Sequence, residues 1–342
     1  MAKIYLHIGM NKTGSSAIQS YMHKNRAVLK NIGVLWPETG LGRDGQGEGY
    51  HYGLSSALGF AGGRAEPADA SERQALRDAL DEEIAAAGAR SVVLSSEFFV
   101  LRRDHAPLAS FFEGLDVHVV VYLRRHDTWW PSLFAQAIKT SANPPWQRNF
   151  RSYRQLQAKK RGQYFVFGEL LDAMADLFGQ ENVSACPYED GQIEPDLVTH
   201  FLKEIGEPQA ADLIPPQKDR VNTSLSPRSL SLIDLVQRAR IEPVTKGRII
   251  RTIMYEDDGA AGGDLVPAAV RRELAEEHAA DYERIAREYL GREDGVLFRD
   301  PLPEAQGKDE VGALPFPGAV EFFARHFKRA DDPAASGSSA AG

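Results

Sequence analysis

The fold is decided near the N-terminus by ten residues, His7-Ile8-Gly9-Met10-Asn11-Lys12-Thr13-Gly14-Ser15-Ser16. An apolar run at residues 4–6 precedes them and predicts a strand, and the pattern of residues 17–22 predicts the first turns of a helix. A glycine-bracketed turn between a strand and a helix gathers backbone N–H groups and the positive end of the helix dipole at one point. The sequence therefore predicts an anion site, and phosphate is the usual anion at such sites.

The position of the lysine distinguishes this loop from that of an ordinary ATP-binding protein. Gly9 and Gly14 have the spacing of a P-loop, in which a lysine follows the second glycine and a Ser or Thr then holds Mg²⁺. Here Ser15 stands where that lysine would be, and Lys12 lies inside the loop. The loop thus favours phosphate binding but not ordinary ATP chemistry.

The composition restricts the class of protein. The chain has 342 residues, 43% of them hydrophobic and 26% charged, which is typical of a globular protein with one large domain or two ordinary ones. A net charge of −8 argues against a binder of nucleic-acid polymers, because such proteins carry a basic face. No stretch approaches the roughly 20 apolar residues of a membrane span. Cys186 is the only cysteine, and with no signal-peptide pattern at the N-terminus we expect a cytoplasmic protein.

Strand-like and helix-like segments alternate through the first two thirds of the chain. The apolar patterns predict three further strands and four helices. These are strands at 91–95, 117–123 and 183–188, and helices at 15–30, 71–87, 128–140 and 169–178. Such alternation predicts the α/β class, with a parallel sheet flanked by helices.

The C-terminal part is mostly helical, with helices predicted at 226–240, 245–254 and 266–290. We expect these helices to belong to a single domain, 1–329, rather than to a second lobe. Residues 330–342 are small and polar, and for them we expect a disordered tail.

The end of the predicted strand 117–123 is positively charged. In P-loop NTPases an acidic residue at such a strand end holds Mg²⁺, whereas here Arg124 and Arg125 follow the strand. A positive charge in that place disfavours Mg²⁺ and favours a second phosphate. Ser132 follows eight positions after Arg124 in the next predicted helix, where it can reach the same anion. The alternative is a surface arginine pair with an unrelated helix-surface hydroxyl.

Together these residues resemble the motifs of sulfotransferases that use 3′-phosphoadenosine 5′-phosphosulfate (PAPS). The similarity covers about residues 3–225, and the stretch 222–226 is similar to one in bacterial-type members. The resemblance implies a P-loop-like sulfotransferase core that releases adenosine 3′,5′-bisphosphate. It also implies that Arg124 and Ser132 bind the 3′-phosphate and that the loop binds the 5′-phosphosulfate. The loop residues concerned are Lys12, Thr13, Gly14, Ser15 and Ser16.

Two features depart from the family pattern. Many members place an aromatic residue after the loop to stack on adenine, whereas this chain has Ala17. The Arg-Lys-Gly signature of cytosolic members has only a loose counterpart in residues 246–248. The adenine contacts are therefore not predicted.

The chemistry of sulfuryl transfer suits this loop. Charge accumulates on the leaving oxygen in a loose in-line transition state, so positioning and electrostatic stabilisation dominate. Lys12 is the candidate to contact the bridging oxygen; the alternative is a solvated loop lysine. The transferring group carries less charge than a γ-phosphate, and no spacing of His, Cys, Asp and Glu indicates a metal site. We expect no metal.

Two residues are candidates for the general base that deprotonates the acceptor. Glu97 follows the strand 91–95, at the sheet edge where parallel α/β proteins bind ligands, and some carbohydrate sulfotransferases resemble this arrangement. The alternative for Glu97 is a first-turn residue favoured by the helix dipole. His51 follows the glycine-rich stretch 38–50 and resembles the histidine base of cytosolic members, but it also fits a packing role.

The sequence thus predicts a PAPS-dependent sulfotransferase that acts on a hydroxyl or amine of its acceptor. Polar loops favour a sugar or glycan over a sterol-like acceptor. An ATP-dependent P-loop phosphotransferase and a non-catalytic nucleotide-binding module are the alternatives.

Overall fold

The computed structural model describes residues 2–42, 49–61, 66–100, 104–161, 165–216, 225–257 and 264–304. The predicted tail 330–342 lies outside these residues. So do residues 222–224 of the stretch that resembles bacterial-type sulfotransferases, and residues 43–48 of the glycine-rich loop.

Five parallel strands form the centre of the fold, in the order β2-β3-β1-β4-β5. They are β1 Lys3–His7, β2 Val34–Leu35, β3 Ser91–Ser95, β4 Asp116–Leu123 and β5 Val183–Pro187. His7 pairs with Ser95 on one side and with Val120 on the other, so the segments that follow β1, β3 and β4 leave the sheet at the same edge. The predicted α/β parallel sheet is confirmed.

Fourteen helices of the described residues surround the sheet. The first seven are α1 Ser15–Lys24, α2 Arg26–Asn31, α3 Tyr52–Ala57, α4 Ala70–Ala87, α5 Ala106–Phe111, α6 His126–Thr140 and α7 Phe150–Arg161. The others are α8 Phe167–Phe178, α9 Leu197–Glu204, α10 Gln209–Leu213, α11 Pro227–Arg238, α12 Pro243–Tyr255, α13 Ala268–Glu276 and α14 Ala279–Glu288. The segments predicted as single helices at 15–30 and 266–290 are each two helices.

The β-branched runs are buried on both faces of the sheet. Val92 and Leu94 point into one apolar cluster, while Val93 between them points into the other. Helices α1, α2, α9 and α10 cover the second cluster, and the remaining helices contribute to the first or lie over it. Burying each such side chain contributes about 1.5–3 kcal/mol, which explains why these strands lack polar alternation.

The C-terminal helices pack against helices of the sheet layer. Helices α11 and α13 lie on α6, and α14 lies on α8. The buried Arg125, which follows β4, donates two hydrogen bonds to the Asp127 carboxylate, at 2.8 and 3.0 Å, and one to the Pro301 carbonyl at 3.0 Å. These contacts tie the C-terminal segment to the end of β4. Single-domain limits at 1–329 stay a prediction.

The described part of the chain contains no helix long and apolar enough to cross a membrane.

Candidate active site

The loop between β1 and α1 requires both of its glycines. A Cβ atom on Gly9 would lie 2.2 Å from Ser15 Oγ. Gly14 has φ of +79°, where side chains are strained, and a Cβ there would lie 2.2 Å from Leu197 Cδ2. Within the described ranges no side chain caps α1, and the first turn of a helix directs its backbone N–H groups towards its N-terminal end, here the loop. The backbone therefore has the geometry of an anion-binding turn.

Hydrogen bonds fix the loop from within and from α6. Thr13, which is buried, donates through Oγ1 to the Met10 carbonyl at 2.6 Å. Trp129 Nε1 donates to the Asn11 carbonyl at 2.7 Å. Between these anchors Lys12 has φ of +71°, a left-handed conformation that is costly for a side chain other than glycine. The surrounding contacts hold the lysine in this strained conformation.

Arg124 links the end of β4 to the loop. Its Nη1 donates to the Lys12 carbonyl at 3.0 Å, and its Nε donates to Thr128 Oγ1 at 3.1 Å. The guanidinium also lies over the Tyr188 ring, 5.7 Å from the ring centroid. Burial lowers the pKa of Arg124, and the nearby Arg271 acts in the same direction. The guanidinium is thus fixed beside the loop in a partly dehydrated place.

A cavity of about 470 Å³ opens between the loop and α6, and we call it the Lys12 cavity. It brings together four residues that the sequence predicted for nucleotide binding: Lys12, Gly14, Arg124 and Ser132. Thr13, Ser15 and Ser16 do not line it; the first two are buried, and Ser16 is exposed in the first turn of α1.

Positive charge accumulates at the Lys12 cavity. Burial lowers the pKa of Lys12, and the charges of Lys139 and Arg124 lower it further. Among the described residues that line the cavity, both carboxylates are in ion pairs, Asp127 with Arg125 at 2.8 Å and Asp264 with Arg271 at 2.6 Å. The site therefore favours an anion, and its carboxylates are engaged with arginines rather than directed at a metal ion.

Glu97 lies beside the loop, at the start of a 3₁₀ turn, Glu97–Val100, which one residue separates from β3. Burial raises the pKa of its carboxyl group, while a hydrogen bond from Ser15 and the charge of Lys12 oppose that rise. Glu97 does not line the Lys12 cavity itself. It stands next to the loop as a carboxylate of raised basicity, which is what proton abstraction requires.

His51 is a buried structural residue. Its Nδ1 accepts a hydrogen bond from the Ser95 N–H at 3.1 Å, and its Nε2 lies 3.2 Å from the Pro37 carbonyl. The ring packs against Trp36 with 4.6 Å between ring centroids. Both ring nitrogens are engaged with the backbone, so neither is available to take a proton from an acceptor.

Comparisons with known proteins give little similarity. No family model matches this sequence, and no curated protein matches it. A solved structure described as a sulfotransferase from Alicyclobacillus acidocaldarius is 12% identical, with 80% of this chain and 94% of that chain covered and a TM-score of 0.36.

Sequence reasoning missed Lys139 and Arg271 as residues of the Lys12 cavity. Lys139 was detectable, because Thr128, Ser132 and Lys139 recur at helical spacing along one face of α6. Arg271 was not, since α13 reaches the cavity only through tertiary packing against α6.

Two buried histidines near the loop, His7 at the end of β1 and His51, should make the stability of the fold sensitive to acid. Burial lowers the pKa of both His7 and His51 to about 3. Below the ordinary histidine pKa of about 6.5 the unfolded chain takes up protons that the folded chain does not, so stability falls as pH falls towards 3. Each unit of pKa difference corresponds to about 1.4 kcal/mol.

Urea unfolding at a series of pH values between about 7 and about 4 measures this loss. In the variant His51→Gln, the amide still donates and accepts but does not titrate, so we expect a shallower dependence on pH. The same slope in both proteins would exclude His51 as a source of the acid sensitivity.

Proposed function

We propose that this chain is a sulfotransferase that moves a sulfuryl group from PAPS to a hydroxyl or amine of an acceptor. The observation that carries the proposal is the convergence of Lys12 and Arg124 on one cavity, joined by the hydrogen bond from Arg124 Nη1 to the Lys12 carbonyl. An anion loop and a second cationic group on the same cavity suit a donor with phosphate-type groups at both its 5′ and 3′ positions.

In this proposal the loop binds the 5′ side of the donor. Lys12, the Gly14 backbone and the first N–H groups of α1 contact the phosphosulfate, while the Thr13 side chain holds the loop in shape. Ser15 connects the loop to Glu97, and Ser16 contributes through its backbone at the start of α1. Arg124 and Ser132 bind the 3′-phosphate.

The proposed reaction breaks the bond between sulfur and the bridging oxygen and forms a bond between sulfur and the acceptor oxygen or nitrogen. Lys12 stabilises the charge that develops on the leaving phosphate oxygen. The acceptor proton passes to the carboxylate of Glu97. The products are the sulfated acceptor and adenosine 3′,5′-bisphosphate, so charge and protons balance without a further reactant.

Glu97 is preferred over His51 as the proposed base. The Glu97 carboxyl lies beside Lys12 and Ser15 and has a raised pKa, whereas both nitrogens of His51 are bonded to backbone groups. A cytoplasmic location also belongs to the proposal, and it rests on the single cysteine.

Nucleotide titration separates this proposal from an ATP-dependent phosphotransferase. We expect adenosine 3′,5′-bisphosphate to bind in the presence of a chelator, because the carboxylates of the Lys12 cavity are paired with arginines. Preferential binding of Mg·ATP would overturn the assignment. A non-catalytic module would bind PAPS and transfer nothing to any member of a panel of sugar, phenol and amine acceptors.

Arg124→Ala should impair recognition of the 3′-phosphate selectively. Loss of a hydrogen bond to a charged group costs about 1.5–3 kcal/mol, so the dissociation constant for adenosine 3′,5′-bisphosphate should rise about 10–100-fold. Calorimetric titration with this ligand and with adenosine 5′-phosphosulfate, which lacks the 3′-phosphate, measures the difference.

The second ligand is the internal control for damage to the loop. Arg124 also bonds to the Lys12 carbonyl, so a general disturbance would weaken both nucleotides equally, and that result would contradict the 3′-phosphate assignment. Ser132→Ala, which leaves the loop contact in place, should shift the same preference in the same direction by a smaller factor.

A further inference from the structure

Three residues with metal-binding side chains meet beside the edge strand β5. The nearest ligand atoms of Cys186, His200 and Glu204 all lie within 4.8 Å of one another. His200 and Glu204 are one turn apart on α9 and share a face, and Cys186 of β5 packs in the same apolar cluster as that helix. The sequence showed no metal spacing because the thiol and the helical pair come from different elements.

Tyr122 orients the imidazole. The Tyr122 hydroxyl lies 2.9 Å from His200 Nδ1, and the Tyr122 side chain is fully buried in β4. In the tautomer that donates from Nδ1 to this hydroxyl, the lone pair of Nε2 is directed away from Tyr122, and Nε2 lies 4.0 Å from Glu204 Oε1. Histidines that ligate metals have their second nitrogen fixed in this way.

The cluster opens into a cavity of about 930 Å³, distinct from the Lys12 cavity. Cys186, His200 and Glu204 line it, together with Arg292 and Arg299 from the C-terminal part of the chain. The Cys186 thiol is hydrogen-bonded to the Glu204 carboxylate. A cation bound between the sulfur and the carboxylate would take the place of the proton in that hydrogen bond.

We propose that Cys186, His200 and Glu204 bind one divalent transition-metal ion, with Zn²⁺ the best match, and leave its fourth position open to the 930 Å³ cavity. Thiolate, imidazole and carboxylate are the ligands that tetrahedral Zn²⁺ takes, and the thiolate disfavours Mg²⁺ and Ca²⁺. On binding, the sulfur–metal bond replaces the S–H bond, and the thiol proton passes to solvent. Three protein ligands and one open position are the pattern of zinc sites that keep a place for water or another small ligand, in contrast to closed structural sites with four protein ligands.

Cobalt titration of the metal-stripped full-length protein tests the site. Because Cys186 is the only cysteine, a thiolate-to-Co²⁺ charge-transfer band at one ion per chain can only come from it, and Zn²⁺ should abolish the band by displacement. Cys186→Ser should lose the band, and His200→Gln should weaken binding. Tyr122→Phe should keep the band and weaken binding about 10–100-fold, as expected for a partner that orients a ligand.

His118→Gln is the matched control. His118 is half-buried, as His200 is, and its Nε2 lies 2.9 Å from Ser184 Oγ on β5. It therefore lies next to the same strand but does not belong to the cluster. Its cobalt affinity should equal that of the wild type. If Cys186→Ser fails to fold, Glu204→Gln, at a partly exposed position, tests the same site by its loss of affinity.

Two results would overturn the metal site: no charge-transfer band in the wild type, or equal metal affinity in wild type and Cys186→Ser. The outcome is independent of the proposed sulfotransferase activity, because none of the three ligands lines the Lys12 cavity. Binding of adenosine 3′,5′-bisphosphate to the metal-stripped protein tests the nucleotide site of the proposed function separately.

Discussion

Replacing Lys12 with alanine is expected to reduce sulfuryl transfer about 10²–10³-fold, the usual effect of removing one preorganised group that stabilises developing charge. The expected loss lies in kcat, with a smaller change in donor affinity, because the ammonium group acts most strongly on the charge of the transition state. Steady-state kinetics with PAPS and calorimetric binding of adenosine 3′,5′-bisphosphate separate the two effects.

The fold should tolerate this substitution. Alanine can occupy the left-handed conformation of Lys12 at the same cost as lysine, and the Lys12 carbonyl that Arg124 contacts is retained. Lys30→Ala, which removes an exposed lysine from the last turn of α2, is the matched control and should leave kcat unchanged. If Lys12→Ala had the kcat of the wild type, Lys12 would have no role in stabilising the charge on the leaving oxygen.

Glu97→Gln is expected to lower kcat about 10²–10⁴-fold, which is the contribution of a general base. The amide keeps the size of the side chain and a hydrogen-bonding oxygen for Ser15, but it cannot accept the acceptor proton. Because burial raises the pKa of Glu97, the wild-type rate should fall with decreasing pH through a value above the ordinary range of glutamate. A base works only when deprotonated, so activity lies on the alkaline side of this pKa.

The pH profile distinguishes the base from a structural residue. In Glu97→Gln the residual rate should no longer show the acidic limb, whereas Glu82→Gln, at an exposed position on α4, should keep the limb and the wild-type rate. An unchanged acidic limb in Glu97→Gln would assign that titration to another group and contradict the proposed role.

The sheet and the anion loop were predictable because their signals are local. The strands β3 and β4 are buried on both faces, and their consecutive β-branched residues show this in the sequence itself. Gly9 is specified by Ser15 in the same turn and Gly14 by its positive φ, although the side chain closest to Gly14 is that of the distant Leu197. The position of Lys12 between them and the arginine after β4 predict a phosphosulfate donor, and the identity of the anion stays a prediction.

Helix ends and the environments of single side chains were less predictable. The helix predicted at 71–87 begins one residue earlier, at Ala70, because Asp69 caps α4 through a capping box with Glu72. His51 follows a glycine-rich stretch as a loop base would, but its ring is enclosed by Trp36 and by backbone groups of distant segments.

Clusters built from several elements were beyond prediction for a physical reason. Cys186 and His200 come together only because β5 is the edge strand beside α9, and strand order is not encoded in the spacing of either residue. The same holds for the approach of Arg271 to the Lys12 cavity. Such juxtapositions depend on tertiary topology, which no short stretch of this chain contains.

The left-handed backbone conformation of Lys12 bears on how the 5′ and 3′ groups of the proposed donor would bind together. Lys12 supplies both the ammonium group and the carbonyl that accepts a hydrogen bond from Arg124, so the two cationic groups are connected through one residue. In the proposed assignment we expect a ligand at one subsite to restrict the position of the other cationic group, and by thermodynamic linkage that effect would be reciprocal.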